Sequence, residues 1–127
     1  MKIRIWVVAS MLVLSVAISA FSMIFVNSVM DDLDARRIEA VMNVENGMTD
    51  EAIAGITAML TTIEEKNPVL EILTPHDDLH DMLTQLVEAK VSLTIGDMDD
   101  FDQKISLFRE NLEHIRSHEA LTLSNIL

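Results

Sequence analysis

The chain has no cysteine and no tyrosine, and only three glycines, two prolines and one tryptophan in 127 residues. Without cysteine there is no disulfide, no thiol nucleophile and no thiolate metal site. A small helical domain can do without disulfides on either side of a membrane. Three glycines are too few for a phosphate-cradling loop, and no nucleophile elbow or Cys-His couple exists. Basic residues are scarce: 9 Lys and Arg stand against 21 Asp and Glu, with Arg36-Arg37 the one adjacent pair, so there is no nucleic-acid footprint. These absences remove most catalytic chemistry, and we expect neither an enzyme nor a cofactor.

What the chain does have is a run without charge from Ile5 to Val26, bounded by Lys2 and Arg4 before it and Asp31, Asp32 and Asp34 after it. About 22 residues rising roughly 1.5 Å each can cross a hydrocarbon core of about 30 Å. A secretory signal is the competing reading, with weak cleavage sites at Ala17-Ile18-Ser19 and Ala20-Phe21-Ser22. The apolar run continues past both. Cleavage would leave a greasy new end, so we read an uncleaved membrane helix whose middle includes Leu14 and Ile18. A buried soluble helix would carry a polar face, and this segment offers only serine. Lys2, Arg4 and the terminal amine outweigh Arg36 and Arg37 by a narrow margin, which places the N-terminus in the cytoplasm and the remainder outside.

The sequence therefore divides into a membrane anchor over 1–30 and an acidic domain over 31–127. Formal net charge is -12 for the whole chain and -14 without Lys2 and Arg4, with 7 basic against 21 acidic residues left. Such a domain repels phosphate backbones and anionic headgroups, and solubility is the simplest account of its charge.

Methionine and leucine are plentiful in the second part and runs of β-branched residues are absent from it, which favours helices. The predicted fold is all-α: one N-terminal transmembrane helix followed by a small antiparallel bundle of about four helices. The first continues the membrane helix outward, with Met30, Leu33, Ala40, Val41 and Val44 at helical spacing, and ends at Gly47. The second starts with Thr49 as N-cap and an inward stripe of Ala52, Ile56, Met59 and Ile63, widened by Ile53 and Leu60. Asn67-Pro68 is expected to stop it, leaving Val69 to Leu73 as an apolar bridge. Thr74-Pro75-His76-Asp77 predicts a fresh start, with Thr74 as cap and Pro75 at the first helical position. That helix turns Leu79, Met82, Leu86, Ala89 and Leu93 inward and ends at Gly96. Asp97 caps the last, whose inward set is Phe101, Ile105, Phe108, Leu112 and Ile115. The helices after Gly47 and Gly96 match at a constant offset, although any two amphipathic helices can agree this far.

From Thr74 to Leu127, together with the N-terminal apolar segment, the chain resembles the family called domain of unknown function 4363. The matching features are the apolar bridge leading to His76-Asp77-Asp78-Leu79, the Asp97 to Phe108 helix start, His114-Ile115, and the ending Glu119-Ala120-Leu121-Thr122-Leu123-Ser124-Asn125-Ile126-Leu127. The resemblance implies a membrane-anchored helical protein of spore-forming or related Gram-positive bacteria, working beside other small integral-membrane proteins. It implies no biochemical activity, since the family has none established.

Chemistry has few places to reside. His76/His80 and His114/His118 are each spaced by four, the spacing that sets two imidazoles on one helix face for a transition metal. Helical-wheel directions argue against a shared site, with His114 turned largely to the far side of its helix, and surface histidines are the plainer account. Asp97 to Asp102 lacks the glycine and the bidentate glutamate of a calcium loop, because Asp102 and Phe108 occupy those positions. Glu64-Glu65 and Asp31-Asp32 read as solvated carboxylates. Leu121, Leu123, Ile126 and Leu127 offer more apolar surface than a free terminus exposes, so the end is expected to dock on the bundle or on a partner, with Asn125 satisfying backbone groups nearby.

The leading expectation is an accessory or scaffolding module that binds another envelope protein. The alternative is a ligand- or metal-sensing domain that signals through a partner. Replacing Leu14 or Ile18 by Arg is expected to impair membrane integration, because a charge at mid-span costs about 2.5–3.5 kcal/mol. The wild-type chain should resist carbonate extraction, and full-length protein in the soluble fraction would contradict the anchor.

Overall fold

The computed structural model describes the backbone of residues 1–126 and the side chains of residues 1–118. It contains four helices: α1 (Lys2–Glu45), α2 (Thr49–Leu73), α3 (His76–Ile95) and α4 (Met98–Ile126). Each packs on the next and α4 returns to α1, so that α1 and α3 stand diagonally across the bundle, as do α2 and α4. The turns are three, two and two residues long, which forces sequential neighbours to run antiparallel. We call the end bearing Gly47 and Gly96 the tip, and the end from which the first part of α1 projects the base.

No glycine or proline interrupts α1, and its 44 residues extend about 66 Å. Its first part, through Ile18, is exposed on every side. Half-burial begins at Ser19, and Val26, Val29, Met30 and Leu33 are buried in the core with Ala40. The helix thus changes surroundings without changing conformation. The apolar run and the bundle share the stretch from Ser19 to Val26.

Both tip turns use one device. In the first, Gly47 takes a φ of +76° while its N–H bonds to Val44 O and the Met48 N–H to Asn43 O. In the second, Gly96 takes a φ of +80° while its N–H bonds to Leu93 O and the Asp97 N–H to Ser92 O. A left-handed residue closing these two bonds satisfies carbonyls that the helix end would otherwise leave open, and glycine takes that conformation without a Cβ penalty. Asp97 then caps α4, its Oδ1 accepting from the Asp100 N–H at 3.1 Å.

The inward stripes lie where the periodicity puts them. Ala52, Ile56, Met59 and Ile63 of α2, Leu79, Met82, Leu86, Ala89 and Leu93 of α3, and Phe101, Ile105, Phe108, Leu112 and Ile115 of α4 are all buried.

Four local expectations are corrected. Thr49 is the first residue of α2 and not its cap, and Met48 precedes it without a side-chain cap bond. Pro68 does not end α2, which continues to Leu73. Pro68 is exposed and removes one backbone bond, a loss offset by burial of Leu70 and the packing of Leu73 on the core that continuing the helix allows. Thr74 closes α2 and does not open α3: its hydroxyl and its N–H both donate to Leu70 O, at 2.6 and 2.8 Å. Pro75 stands just before α3 and not at its first helical position.

Phe108→Ala is expected to destabilise the bundle by about 3–5 kcal/mol through the cavity it leaves. Thr74→Ala should cost only about 0.5–1.5 kcal/mol, since the Leu70 carbonyl keeps its backbone donor. Chemical unfolding of the full chain in micelles, followed by circular dichroism, separates the two, and equal losses would contradict the packing described.

Candidate functional site

The polar groups of the bundle gather along the seam between α3 and α4. From tip to base the pairs are Ser92 with Asp100, Lys104 with Glu88 at 2.8 Å, Asn111 with Gln85 at 2.7 Å, and His114 with Asp78 at 2.9 Å. Successive pairs are one or two helical turns apart on both helices, so they fix the register of the hairpin. The Glu88 carboxylate raises the Lys104 pKa above its ordinary value, first by accepting a hydrogen bond and then by its charge. Ser92 is buried, and the other pairs, exposed or half-exposed, add little stability and more specificity of alignment.

A denser cluster lies further from the tip. Arg116 on α4 donates from Nη2 to Asp31 on α1 and from Nη1 to Glu113 on its own helix, while its Nε is buried without a partner. One guanidinium therefore ties α4 to the packed part of α1. Nearby, the His114–Asp78 contact ties α4 to α3.

The four histidines thus lie toward one end of the molecule, but not as a site. His76 and His80 are exposed on α3, and His114 turns to Asp78, its side chain 65% exposed. This corrects the expectation that His114 faces away from the neighbouring helix; the α3–α4 crossing brings the rim of α4 within reach of Asp78. His118, one turn further on, is also engaged. Among the described residues no group of three or more His, Asp or Glu side chains converges as a metal site would require.

Apolar side chains are also exposed among the described residues, and two groups of them form lines along a helix. One is the projecting half of α1, where Ile5, Leu14 and Ile18 are exposed and Val26 has already passed into the core. This helix is long and apolar enough to cross a membrane. The other is a line of exposed Val87, Val91 and Ile95 along α3. The side chains of Leu121, Leu123, Asn125 and Ile126, and all of Leu127, lie outside the described residues, so the expected docked tail stands on sequence alone.

With the base and the start of the bundle defined, a family match becomes informative. The family described as Domain of unknown function (DUF4363) matches residues 20–126, which begins one residue after the first half-buried position of α1 and takes in every helix behind it. The chain belongs to this family. The matched region of this DUF4363 protein coincides with the bundle, leaves out most of the projecting helix and includes the upper part of the apolar run. No curated protein and no solved structure matches the chain.

The histidines are expected not to bind metal. Calorimetric titration of the detergent-solubilised chain with zinc, nickel or copper should give no saturable heat at micromolar metal. Saturable binding lost in His114→Ala would instead place a metal at the base.

Proposed function

We propose that this DUF4363 protein is a single-pass membrane protein whose acidic bundle serves as an accessory or scaffolding module for another membrane or envelope protein. The observation that carries this reading is the unbroken course of α1 from the exposed apolar half into the core. No linker separates span from bundle. A bundle held this way presents its faces at a fixed height and angle, which suits holding a neighbour in place more than reaching for a diffusing substrate. The narrow Lys and Arg excess supports a cytoplasmic N-terminus and a bundle outside. The line of Val87, Val91 and Ile95 supports a protein neighbour, because it lies on the helix diagonal to α1 and is exposed in the isolated chain.

A second reading is a sensing domain that signals through a partner. It is favoured by the His114–Asp78 contact, which joins α3 and α4 near the end from which α1 emerges, so that a change there is coupled through rigid packing to the span.

Crosslinking in intact membranes followed by affinity capture in detergent is expected to recover one integral-membrane or envelope partner reproducibly, with a crosslinker at Val91 more efficient than one at Lys66. Recovery of this chain alone across crosslinkers and detergents would overturn the scaffold. Capture that requires an added ligand and is lost in His114→Ala would favour the sensor.

A further inference from the structure

The base of the bundle is formed by the end of α2, the Thr74–Pro75 turn and the start of α3, beside the apolar part of α1. Its height along α1 can be read from one contact. Lys66 Nζ on α2 sits 5.6 Å from the centroid of the Phe25 ring. Beyond Lys66, α2 runs on to Leu73 in the direction of Lys2, a further seven residues and about 10 Å. Leu73 therefore comes level with about residue 18 of α1, in agreement with half-burial of α1 beginning at Ser19. α4 descends to the same level: Arg116 is paired with Asp31, and its helix continues through Ile126, about 15 Å further.

This overlap conflicts with a bundle standing wholly in water. Lys2, Arg4 and Trp6 form the basic and aromatic edge of the apolar run, the pair of features that marks a membrane interface. Between Arg4 and the first half-buried residue, Ser19, stand 14 residues, and they extend only about 21 Å. A hydrocarbon core is about 30 Å thick. An upright helix starting at Ile5 leaves that core near Ile24, about five or six residues above the level of the bundle base.

The side chains at that height suit lipid. Ile72 is 82% exposed and Val69 42%, while Phe21 and Ile24 on α1 are 65% and 66% exposed. Of the acidic groups at this height, Glu71 beside Ile72 is held back, since Asn67 Nδ2 donates to its Oε1 at 3.0 Å and draws the carboxylate one turn toward the tip, whereas Asp77 and Asp78 stand on the first turn of α3.

We propose that the base of the bundle, through Ile72 and Val69 with Phe21 and Ile24, is seated in the interfacial layer of the same bilayer that α1 crosses. The occupant of this apolar edge is lipid: glycerol backbone and upper acyl chain. The inference rests on the reading of α1 as a span. The domain's net negative charge opposes adsorption to anionic lipid, but α1 supplies the attachment and the edge needs only to be covered.

The lack of native cysteine allows single nitroxide labels to be introduced by cysteine substitution. Full-length Ile72→Cys, Leu14→Cys and Met48→Cys would each be labelled and reconstituted into vesicles of phosphatidylethanolamine and phosphatidylglycerol. Relative accessibility to oxygen and to a water-soluble nickel chelate is then read by power saturation. The Leu14 label is expected deep in lipid, the Met48 label in water, and the Ile72 label at interfacial depth with an oxygen-to-nickel ratio several-fold above that of Met48. A Leu14 label in lipid with an Ile72 label matching Met48 would overturn the seating and leave the span intact. A Leu14 label in water would overturn the span, and the seating with it.

Discussion

Everything in this molecule depends on one unbroken helix with two kinds of surroundings, exposed on every side through Ile18 and packed into the core from Val26 onward. The backbone of α1 is hydrogen-bonded within one regular helix, as a membrane-crossing segment would require, and the same regularity makes its later half a wall for α2 and α4. The change from one role to the other is written only in side chains. Up to Ile18 apolar residues occupy all faces; from Val26 onward the buried ones recur at Val29, Met30, Leu33 and Ala40, and charged and polar residues appear between them. Because no break intervenes, tilt of the projecting half is tilt of the bundle.

The bundle is close to one hairpin built twice. The offset of 49 residues that relates Ala52, Ile56, Met59 and Ile63 to Phe101, Ile105, Phe108 and Leu112 also relates Met30, Leu33, Ala40 and Val44 to Leu79, Met82, Ala89 and Leu93. It relates the two left-handed glycines as well. The clearest departure is at Arg37, which stands where α3 has the buried Leu86 and forms a largely buried ion pair with Asp34 at 2.8 Å. Ala52 and Met59 of α2 correspond to the larger Phe101 and Phe108 at the matching positions of α4, so the two halves divide the core volume unequally.

Helix identity and inward faces were legible in the sequence because apolar spacing integrates over many residues. Local punctuation was less so. Proline at 68 reads as a stop, yet its cost is a single missing bond on an exposed face, and the burial of Leu70 beyond it decides the outcome. Leu70 was overlooked as a core residue for the same reason. Thr74 before Pro75 looks like a helix start, but a hydroxyl can serve the carbonyl behind it as readily as the amide ahead, and Leu70 O was the nearer partner. His114 was misjudged because a wheel gives direction about one axis only, whereas contact with Asp78 depends on how two axes cross. The base itself was invisible in the sequence, since its height follows from the length of α2 relative to α1.

The shortness of the connections has a consequence for how the protein is removed. Asn46 to Met48, Thr74-Pro75 and Gly96-Asp97 are the only described residues between helices, and those at Asn46–Met48 and Gly96-Asp97 are curled into hydrogen-bonded caps. A protease must draw several residues of extended backbone into its cleft, and exposed loops normally supply them. Here cleavage has to wait for a helix to open, so the rate of turnover follows the population of opened states. The lifetime of the protein in the cell is thereby coupled to the packing of its core.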